Sequence, residues 1–224
     1  MGSSGYRAHF EGPYADFWKD QARRYGHDAG HQRLIDLVAA LVPAGGMLLD
    51  CGMGNGFPFT IAWSRSLKVA GCDLSARALA LARPELSGGA GARLAAGDLR
   101  ALPFRTGAAN VVACARATNY VPRFTEALEE LWRVTAPGGW LVFDCFNRGH
   151  PARRKERRRL LLRSPWRLVF PAPGQQQSVD VLGVVRWLET RGGEVRLHDD
   201  QGFPLAGAAP WPGTPTVWIA ARKP

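Results

Sequence analysis

The stretch from Leu48 to Gly56 holds residue types that could form a ligand-binding turn. An apolar run ends at Asp50, and three glycines follow at every second position, Gly52, Gly54 and Gly56. Glycine adopts the positive φ of a tight turn and lets a ligand approach bare backbone N–H groups. Asp50, at the end of a predicted strand, can accept hydrogen bonds from an ammonium group. An ordinary glycine-rich turn between a strand and a helix would show the same pattern.

Two further aspartates, Asp73 and Asp98, end the next two predicted strands, 68–73 and 93–98. In α/β folds with a parallel sheet, ligands bind beyond the carboxyl ends of the strands. A carboxylate at the end of the second strand matches the two adjacent hydroxyls of a ribose. With Asp50, the two acids suit a ligand that has an ammonium, a ribose diol and an exocyclic amine, and S-adenosylmethionine has all three. Alternatively, Asp73 and Asp98 only close a strand or cap the next helix.

A dinucleotide-binding turn is the competing interpretation, but its glycine spacing is absent. The fingerprint G-x-G-x-x-G would place its third glycine at Phe57 if it began at Gly52, or at Phe59 if it began at Gly54. The sequence therefore does not favour a dinucleotide-dependent dehydrogenase.

Four motifs occur in an order that resembles the class I S-adenosylmethionine-dependent methyltransferases, especially the small-molecule branch with sugar and natural-product enzymes. They are Leu-Asp-Cys-Gly-Met-Gly-Asn-Gly at 49–56, Gly-Cys-Asp-Leu-Ser at 71–75, Gly-Asp-Leu-Arg-Ala-Leu-Pro-Phe at 97–104 and Leu-Trp-Arg-Val-Thr-Ala-Pro-Gly-Gly at 131–139. The resemblance extends over residues 45–145. It implies an enzyme with S-adenosyl-L-methionine as cofactor and S-adenosyl-L-homocysteine as product.

The same resemblance implies roles for individual residues on the cofactor side. The backbone from Gly52 to Gly56 would hold the methionine part, and Asp73 would bind the ribose hydroxyls. Asp98 would accept from the adenine amine, and the Leu99 N–H would donate to a ring nitrogen. Leu74 and Arg116 complete the set of expected cofactor contacts.

The acceptor-side candidates follow the fourth predicted strand, 109–115; they are Arg116, Asn119 and Tyr120, and no histidine stands among them. Methyl transfer is an in-line displacement that depends mainly on positioning, and a base is needed only if the acceptor must lose a proton. Asn119 and Tyr120 are therefore expected to orient the acceptor, and by resemblance the N-terminal Tyr14 joins them. The alternatives are a helix-start asparagine and two packing aromatics. Asn147, just past the fifth strand, is a weaker candidate.

The acceptor class is narrowed by two missing motifs. The segment Cys114-Ala-Arg116-Ala contains neither the [DN]-P-P-[YF] motif, which marks methylation of planar amide or nucleobase nitrogens in related enzymes, nor a Pro-Cys nucleophile. These absences argue against amide or nucleobase nitrogens and cytosine C5 as acceptors. From the resemblance we expect O- or N-methylation, in preference to C-methylation, of a small molecule of the natural-product or sugar type.

One basic segment carries most of the net charge of +10. Seven Arg and Lys residues stand against one Glu between Pro151 and Arg163, which leaves +6 on thirteen residues. A solvated helix or a cap over the active site is the usual outcome of such a run. The same charges could instead bind an anionic small molecule, or the phosphates of RNA in an RNA methyltransferase.

A further alternative to methyl transfer is a protein that binds S-adenosylmethionine and catalyses another reaction, or none.

The elements that must position these residues alternate along the chain as strands and helices. This order predicts an α/β fold, a Rossmann-like doubly wound and mostly parallel seven-stranded sheet, with an antiparallel C-terminal edge hairpin formed by 194–198 and 216–221. We expect one domain over residues 1–224. N-terminal helices would cover 6–42, a lid or cap would cover 148–177, and the last helix would cover 178–191. His31 is expected on a helix surface.

Composition limits the remaining possibilities. The four cysteines form no C-x-x-C pair, and each lies near a predicted strand end, which indicates buried reduced thiols rather than a metal site. No apolar run has the roughly 20 residues of a membrane span, and the N-terminus lacks the pattern of a signal peptide. We therefore expect a cytoplasmic monomer or homodimer with a small-molecule acceptor, no membrane partner and no nucleic-acid partner.

Overall fold

The computed structural model describes residues 3–12, 29–86, 92–168, 171–172, 174–205, 211 and 213–224. Tyr14 lies outside the described residues, so its predicted place near the cofactor or acceptor stays a prediction. Within the described residues, eight strands form one sheet. The strands are β1 (Met47–Cys51), β2 (Lys68–Asp73), β3 (Arg93–Ala96), β4 (Ala109–Cys114), β5 (Thr135–Asn147), β6 (Ser178–Val179), β7 (Glu194–His198) and β8 (Thr216–Arg222).

Helices connect most of these strands. They are α1 (Ser3–Glu11), α2 (Ala29–Leu41), α3 (Phe59–Ser64), α4 (Ala76–Leu86), α5 (Phe124–Val134), α6 (Pro151–Arg163) and α7 (Val181–Glu189). Short 3-10 turns cover Thr118–Tyr120 and Pro165–Leu168. Helix α4 has a side-chain N-cap, because the Ser75 hydroxyl accepts a 3.0 Å hydrogen bond from the Ala78 N–H.

The strand order is β3-β2-β1-β4-β5-β8-β7. Along the chain, strands are added on one side of β1 up to β3, and then on its other side from β4 onward. The five strands β1 to β5 pair in parallel, so their carboxyl ends lie along one edge. The order runs outward on both sides from the β1–β4 pair, which makes this the switch point at which doubly wound folds bind ligands. The loops after β1 and β4 flank that point.

The predicted antiparallel C-terminal edge hairpin is confirmed, since β7 and β8 pair antiparallel at one side of the sheet. β8 pairs antiparallel with both β5 and β7, so the antiparallel strand lies inside the sheet and β7 forms the edge. The predicted helix over 178–191 was too long, since Ser178 and Val179 form the short strand β6 beside β5. The Gln177 N–H donates to the Asn119 carbonyl oxygen at 2.7 Å, which ties the residues before β6 to the loop after β4. The helix begins only at Val181.

Apolar residues fill both faces of the sheet. On β1, Leu48 faces a cluster with α2 and α3, whereas the next residue, Leu49, faces a cluster with α5 and α7. Successive side chains of a strand point to opposite faces, so a nearly continuous apolar run predicts a strand covered on both sides. Helix α6 differs from these packed helices because none of its residues is buried.

Candidate active site

The glycine-rich turn after β1 takes the backbone form that its sequence predicts. Gly52, Gly54 and Gly56 have φ of 78°, 57° and 83°, a region that residues with a Cβ rarely adopt. A Cβ at Gly52 would overlap the Ala117 Cβ in the loop after β4, whereas a Cβ at Gly54 would meet nothing within 4 Å. The turn therefore packs against the loop after β4 at one glycine and leaves an open face at the next.

Asp50 lies buried beside this turn, with 2% of its surface exposed. The Thr60 hydroxyl donates to Asp50 Oδ2 at 2.5 Å, but the buried Oδ1 has no hydrogen-bond partner among the described residues. Burial raises the pKa of Asp50 to about 7; the Thr60 hydrogen bond opposes the rise, and the negative charge of Asp73 adds to it. A buried carboxylate with one unsatisfied oxygen suits a cationic ligand such as an ammonium.

Asp73, at the end of β2, connects the glycine turn to α4. Its Oδ2 accepts from the Gly54 N–H at 2.8 Å, and its Oδ1 accepts from the Ser75 N–H at 2.9 Å. Burial raises the pKa of Asp73; these backbone hydrogen bonds oppose the rise, and Glu11 adds to it. Each carboxylate oxygen can accept about two hydrogen bonds. Asp73 therefore keeps acceptor capacity for ribose hydroxyls while it holds the turn.

Asp98 is engaged by a neighbouring arginine that the sequence analysis did not consider. Arg100 donates to Asp98 Oδ1 from its backbone N–H at 2.9 Å and from Nε at 3.0 Å, and to Oδ2 from Nη2 at 2.6 Å. Burial acts to raise the pKa of Asp98, but the hydrogen bonds and charge of Arg100 lower it overall. One acceptor position remains at Oδ2, so an adenine amine would share this carboxylate with Arg100.

The two leucines of the predicted cofactor set lie at the same edge. Leu99 is 8% exposed, and its Cδ1 lies 3.5 Å from the position that a Cβ at Gly52 would take. Leu74 directly follows Asp73 and is half-buried, and its backbone N–H contributes to the hydrogen bonding of the Asp73 carboxylate. The structure thus brings Leu99 to the glycine turn and keeps Leu74 beside the predicted ribose carboxylate.

Arg116 begins the loop after β4 with an unusual backbone. Its φ is 58°, and its N–H donates to Asp144 Oδ1 at 2.5 Å. Its Nη2 lies 2.7 Å from His31 Nε2 on α2. The prediction that His31 lies on a helix surface was wrong, because His31 is 9% exposed and packs edge-on against Phe59. Helical spacing alone could not reveal these two partners.

Asn119 uses its side-chain amide within the protein. Its Nδ2 donates to Asp144 Oδ2 at 3.2 Å, and its Oδ1 accepts from the Phe146 N–H at 2.7 Å. The residue is 4% exposed. These bonds fix the loop after β4 to the end of β5, so any effect of Asn119 on an acceptor depends on the shape of this loop.

Asp144 is a buried acid at the carboxyl end of β5 that the sequence analysis did not assign to the site. Burial raises its pKa to about 6, although the Arg116 N–H, the Arg116 charge and Asn119 oppose the rise. The Thr118 hydroxyl also donates to its backbone oxygen. A signal was present, since Asp144 ends the apolar run at 140–143 in the same way as Asp50 and Asp73 end theirs.

Tyr120 lies at the outer side of this loop and is partly exposed. Its hydroxyl accepts a 2.8 Å hydrogen bond from Gln176 Nε2, and its ring lies edge-on to Phe10 of α1. Gln176 in turn accepts from Arg153 of α6 at 3.3 Å. Tyr120 is therefore the residue of the predicted acceptor pair that faces the segment after α6.

Helix α1 crosses the carboxyl edge of the sheet and provides a residue that sequence reasoning missed. The Glu11 carboxylate accepts from the Ala76 N–H at 2.9 Å, from the Arg77 N–H at 3.2 Å and from the Ser75 hydroxyl at 3.2 Å, at the start of α4. Because Phe10 contacts Tyr120, α1 reaches from the Asp73 side of the edge to the loop after β4. No sequence pattern links Glu11 to residues 65 positions away.

The remaining polar candidates serve structural contacts. Asn147 is 2% exposed and donates from Nδ2 to the Trp211 and Thr214 carbonyl oxygens, each at 3.1 Å.

The four cysteines are free and buried, as the sequence predicts. In the described part of the chain, no three His, Cys, Asp or Glu side chains are grouped so that they could hold a metal ion. No described helix is long and apolar enough to cross a membrane.

Residues 49–143 match the family model of a methyltransferase domain. These residues contain the glycine turn, Asp50, Asp73, Asp98 and the loop after β4. Residues 49–143 therefore resemble a methyltransferase domain. The open glycine turn beside the unsatisfied Asp50 oxygen has the features expected for binding the amino-acid part of S-adenosylmethionine, the cofactor that this resemblance implies.

Curated relatives and solved structures agree with this assignment. The chain is 33% identical over 133 residues to a malonyl-[acyl-carrier protein] O-methyltransferase of Pectobacterium atrosepticum, a match that covers 54% of this chain and 51% of the relative. It is 36% identical over 114 residues to a demethylmenaquinone methyltransferase of Thermus thermophilus, covering 50% and 51%. The chain thus spans about half the length of the curated relatives it matches.

Among solved structures, magnesium protoporphyrin IX methyltransferase from Synechocystis with bound SAH has a TM-score of 0.65 at 17% identity, covering 97% of this chain and 98% of the other. A TehB-like methyltransferase from Corynebacterium glutamicum has a TM-score of 0.66 at 19% identity, covering 97% and 99%. At these identities the likeness concerns the fold.

Proposed function

We propose that this protein transfers a methyl group from S-adenosylmethionine to an oxygen or nitrogen of a small-molecule acceptor. The observation that carries the proposal is the buried Asp50 Oδ1, which has no described hydrogen-bond partner and lies beside the open glycine turn. A cationic amino-acid group satisfies this oxygen and offsets the cost of its burial.

The cofactor-side roles follow from the contacts at the sheet edge. Asp50 and the backbone from Gly52 to Gly56 bind the amino-acid part, and Asp73 accepts from the ribose hydroxyls. Asp98 and Leu99 bind the adenine edge, with Arg100 holding the Asp98 carboxylate in place. When bound, the cofactor supplies an electrophilic methyl group on sulfur. Leu74 and Arg116 shape the two sides of this site.

The acceptor-side roles rest on the loop after β4. Tyr120 orients the acceptor, because it is partly exposed and faces both α1 and the segment after α6. Asn119 positions this loop against Asp144 rather than contacting the acceptor alone. By the resemblance to the family, Tyr14 is also proposed to act near the cofactor or the acceptor. Catalysis then depends on holding the nucleophile in line with the methyl group.

The acceptor class is supported by the relatives. One is named for methylation of malonyl-[acyl-carrier protein] at oxygen and another for methylation of demethylmenaquinone, and neither name refers to a nucleic acid. We infer an acceptor from natural-product or sugar biosynthesis and a monomer or homodimer. The four free, buried cysteines support a reducing compartment such as the cytoplasm.

Two measurements test the proposed function. Calorimetric titration with S-adenosylhomocysteine is expected to show one site per chain, and Gly54→Ala is expected to weaken binding, with thermal unfolding showing that the variant is folded. Cell extract, with and without nuclease treatment, is then incubated with labelled S-adenosylmethionine and the protein. Label in a nuclease-resistant small molecule supports the proposal. Label lost after ribonuclease treatment indicates the RNA alternative, and binding without any labelled product indicates a cofactor-binding protein without turnover.

A further inference from the structure

Helix α6 is a strongly basic helix that lies on the surface of the protein. Seven of its thirteen residues are Arg or Lys and one is Glu, and none is buried. Glu156 pairs with Arg153 at 3.1 Å. Within the described ranges, no carboxylate forms an ion pair with Arg154, Arg157 or Arg158. The helix therefore presents positive charge that the described protein does not neutralise.

Large apolar side chains are exposed at the end of this helix. Leu161 is 51% exposed, Leu162 is 77% exposed, and Trp166 in the following 3-10 turn is 58% exposed. We call these three residues the α6 tip. Single exposed apolar residues are common on protein surfaces. Here three of them fall within six residues, with Arg163 and Arg167 between and beside them.

A cavity of about 450 Å³ lies beside the α6 tip. It is lined by Leu161 and by four arginines, Arg148, Arg154, Arg157 and Arg158, and Asp180 is the only carboxylate among its described lining residues. Positions 154, 157, 158 and 161 have the spacing of one helix face. Burial lowers the pKa of Arg148 and the charge of Arg157 lowers it further, although Asp180 opposes this. An anionic group in the cavity would relieve the repulsion.

We propose that the α6 tip and this arginine-lined cavity form a docking surface for a lipid bilayer that carries anionic phospholipids. In this arrangement Leu161, Leu162 and Trp166 enter the interface, while the arginines bind lipid phosphates. Leucine and tryptophan partition into the boundary between headgroups and acyl chains, and each arginine near an anionic surface adds to the attraction. Arginine can also keep its charged end at the headgroups while its stem lies against apolar surface.

A bilayer fits both parts of this surface better than other polyanions. RNA phosphates would neutralise the arginines and a base could stack on Trp166, but RNA offers no apolar phase for Leu161 and Leu162. A soluble phosphate would occupy only the cavity. The docking surface also lies on the acceptor side, because Arg153 of the same helix stacks on Phe146 at 3.8 Å and bonds Gln176, which bonds Tyr120. The inference goes beyond the proposed function, and its test needs no turnover.

Vesicle sedimentation tests the docking surface with the full-length protein. Vesicles of phosphatidylcholine alone are compared with an equimolar mixture of phosphatidylcholine and phosphatidylglycerol, at low and high salt. Wild-type protein is expected to bind the mixed vesicles about tenfold more tightly than the neutral ones. The double variant Leu162→Ser/Trp166→Ser, which leaves the net charge unchanged, is expected to weaken binding about tenfold. Phe203→Ser is the matched control, since Phe203 is 53% exposed and its ring lies against Arg33 of α2.

A second set of variants isolates the charge. The triple replacement of Arg154, Arg157 and Arg158 by Gln is expected to remove most of the preference for anionic vesicles. The control replaces three exposed arginines elsewhere, Arg65, Arg83 and Arg105, by Gln. This control variant has the same net charge as the first and is expected to retain the preference for anionic vesicles. Brominated phosphatidylcholine is expected to quench tryptophan emission in wild type and less in Trp166→Phe, which still binds.

Several outcomes would overturn the proposal. Equal binding of the Leu162→Ser/Trp166→Ser variant would leave only electrostatic adsorption, without entry into the interface. Absence of vesicle binding together with salt-dependent binding of RNA would assign α6 to a nucleic acid. Absence of vesicle binding together with saturable binding of inorganic phosphate would assign the cavity to a soluble anion. Thermal unfolding and S-adenosylhomocysteine affinity, expected to be unchanged in all variants, show that each is folded.

Discussion

The Gln176 side-chain amide donates a 2.8 Å hydrogen bond to the Tyr120 hydroxyl, which joins the segment after α6 to the loop after β4. Because Tyr120 also contacts Phe10 of α1, three separate parts of the chain meet at this residue. In the proposed function this meeting point borders the acceptor. Tyr120 could therefore act in two ways: it could orient the acceptor directly, or it could hold the loop after β4 closed through its bond to Gln176.

Removal of the Tyr120 hydroxyl is expected to impair acceptor turnover and to spare the cofactor site. For Tyr120→Phe we expect kcat/KM for the acceptor to fall by about tenfold or more, because a group that orients the nucleophile is lost. Steady-state kinetics and calorimetry with S-adenosylhomocysteine measure the two effects. Gln176→Ala is the control, since it removes the partner and keeps the hydroxyl. If both variants lose the same activity, Tyr120 acts only through loop closure.

Replacement of Asp50 is expected to stabilise the ligand-free protein and to weaken cofactor binding. Burial raises the pKa of Asp50 from its ordinary value of 3.8 to about 7, so folding disfavours its ionised form. The resulting loss of stability is absent below the unfolded pKa and grows as the pH rises toward 7. Asp50→Asn is nearly isosteric and can still accept from Thr60. Its melting temperature should therefore exceed that of wild type by a few degrees at about pH 8 and match it at about pH 4.

For cofactor binding, we expect the opposite order: wild type should bind more tightly than Asp50→Asn. An ammonium group binds the ionised form of Asp50, so wild-type affinity for S-adenosylhomocysteine should rise from about pH 6 to about pH 7.5 as Asp50 ionises. Asp50→Asn should bind at least about tenfold more weakly, with a flatter pH profile. A pH-dependent affinity that persists in Asp50→Asn would assign the titration to another group.

Two glycine variants distinguish the packed face of the turn from its open face. Alanine at Gly52 meets both an unfavourable φ of 78° and the Ala117 Cβ, so Gly52→Ala should lose about 1–3 kcal/mol of stability. Alanine at Gly54 meets no atom within 4 Å, so Gly54→Ala should be less destabilised. Both should weaken S-adenosylhomocysteine binding, Gly54→Ala because its methyl group enters the ligand side. Chemical denaturation and calorimetry check this order, and equal stability of the two variants would contradict it.

The sequence predicts the strand-end acids of this site well, because they depend on local pattern. The apolar run of β2 ends in an aspartate, and its predicted bounds, 68–73, match the observed Lys68–Asp73. The glycine spacing predicts the positive φ of the turn for the same reason. Such features need only the residues of one strand and one turn.

The features that sequence analysis missed depend on contacts between distant residues. His31 has the position of a surface residue in its helix, yet Phe59 and Arg116 bury it. The pattern at 178–180 is compatible with a helix, and only pairing with β5 makes Ser178 and Val179 a strand. Glu11 reaches the start of α4 because of how α1 crosses the sheet edge. The exposed α6 tip could equally have packed against the body of the protein.

The Glu11 cap of α4 is expected to make a stabilising contribution that disappears in acid. Burial acts to raise the pKa of Glu11, but the Ala76 and Arg77 backbone N–H groups, Ser75 and the Arg7 charge lower it overall. A carboxylate at a helix N-terminus contributes about 1 kcal/mol, which Glu11→Ala should remove above about pH 5.

Because the folded pKa of Glu11 lies below the unfolded one, this contribution is lost as the pH falls through the folded value. The difference in melting temperature between wild type and Glu11→Ala should therefore shrink below about pH 4. Hydrogen exchange at the Ala76 and Arg77 amides should be faster in the variant at neutral pH, which locates the effect at the start of α4. Glu85→Ala, at an exposed position late in the same helix, is the control and should leave both measurements unchanged. A difference that stayed constant down to acid pH would show that the carboxylate charge of Glu11 does not stabilise α4.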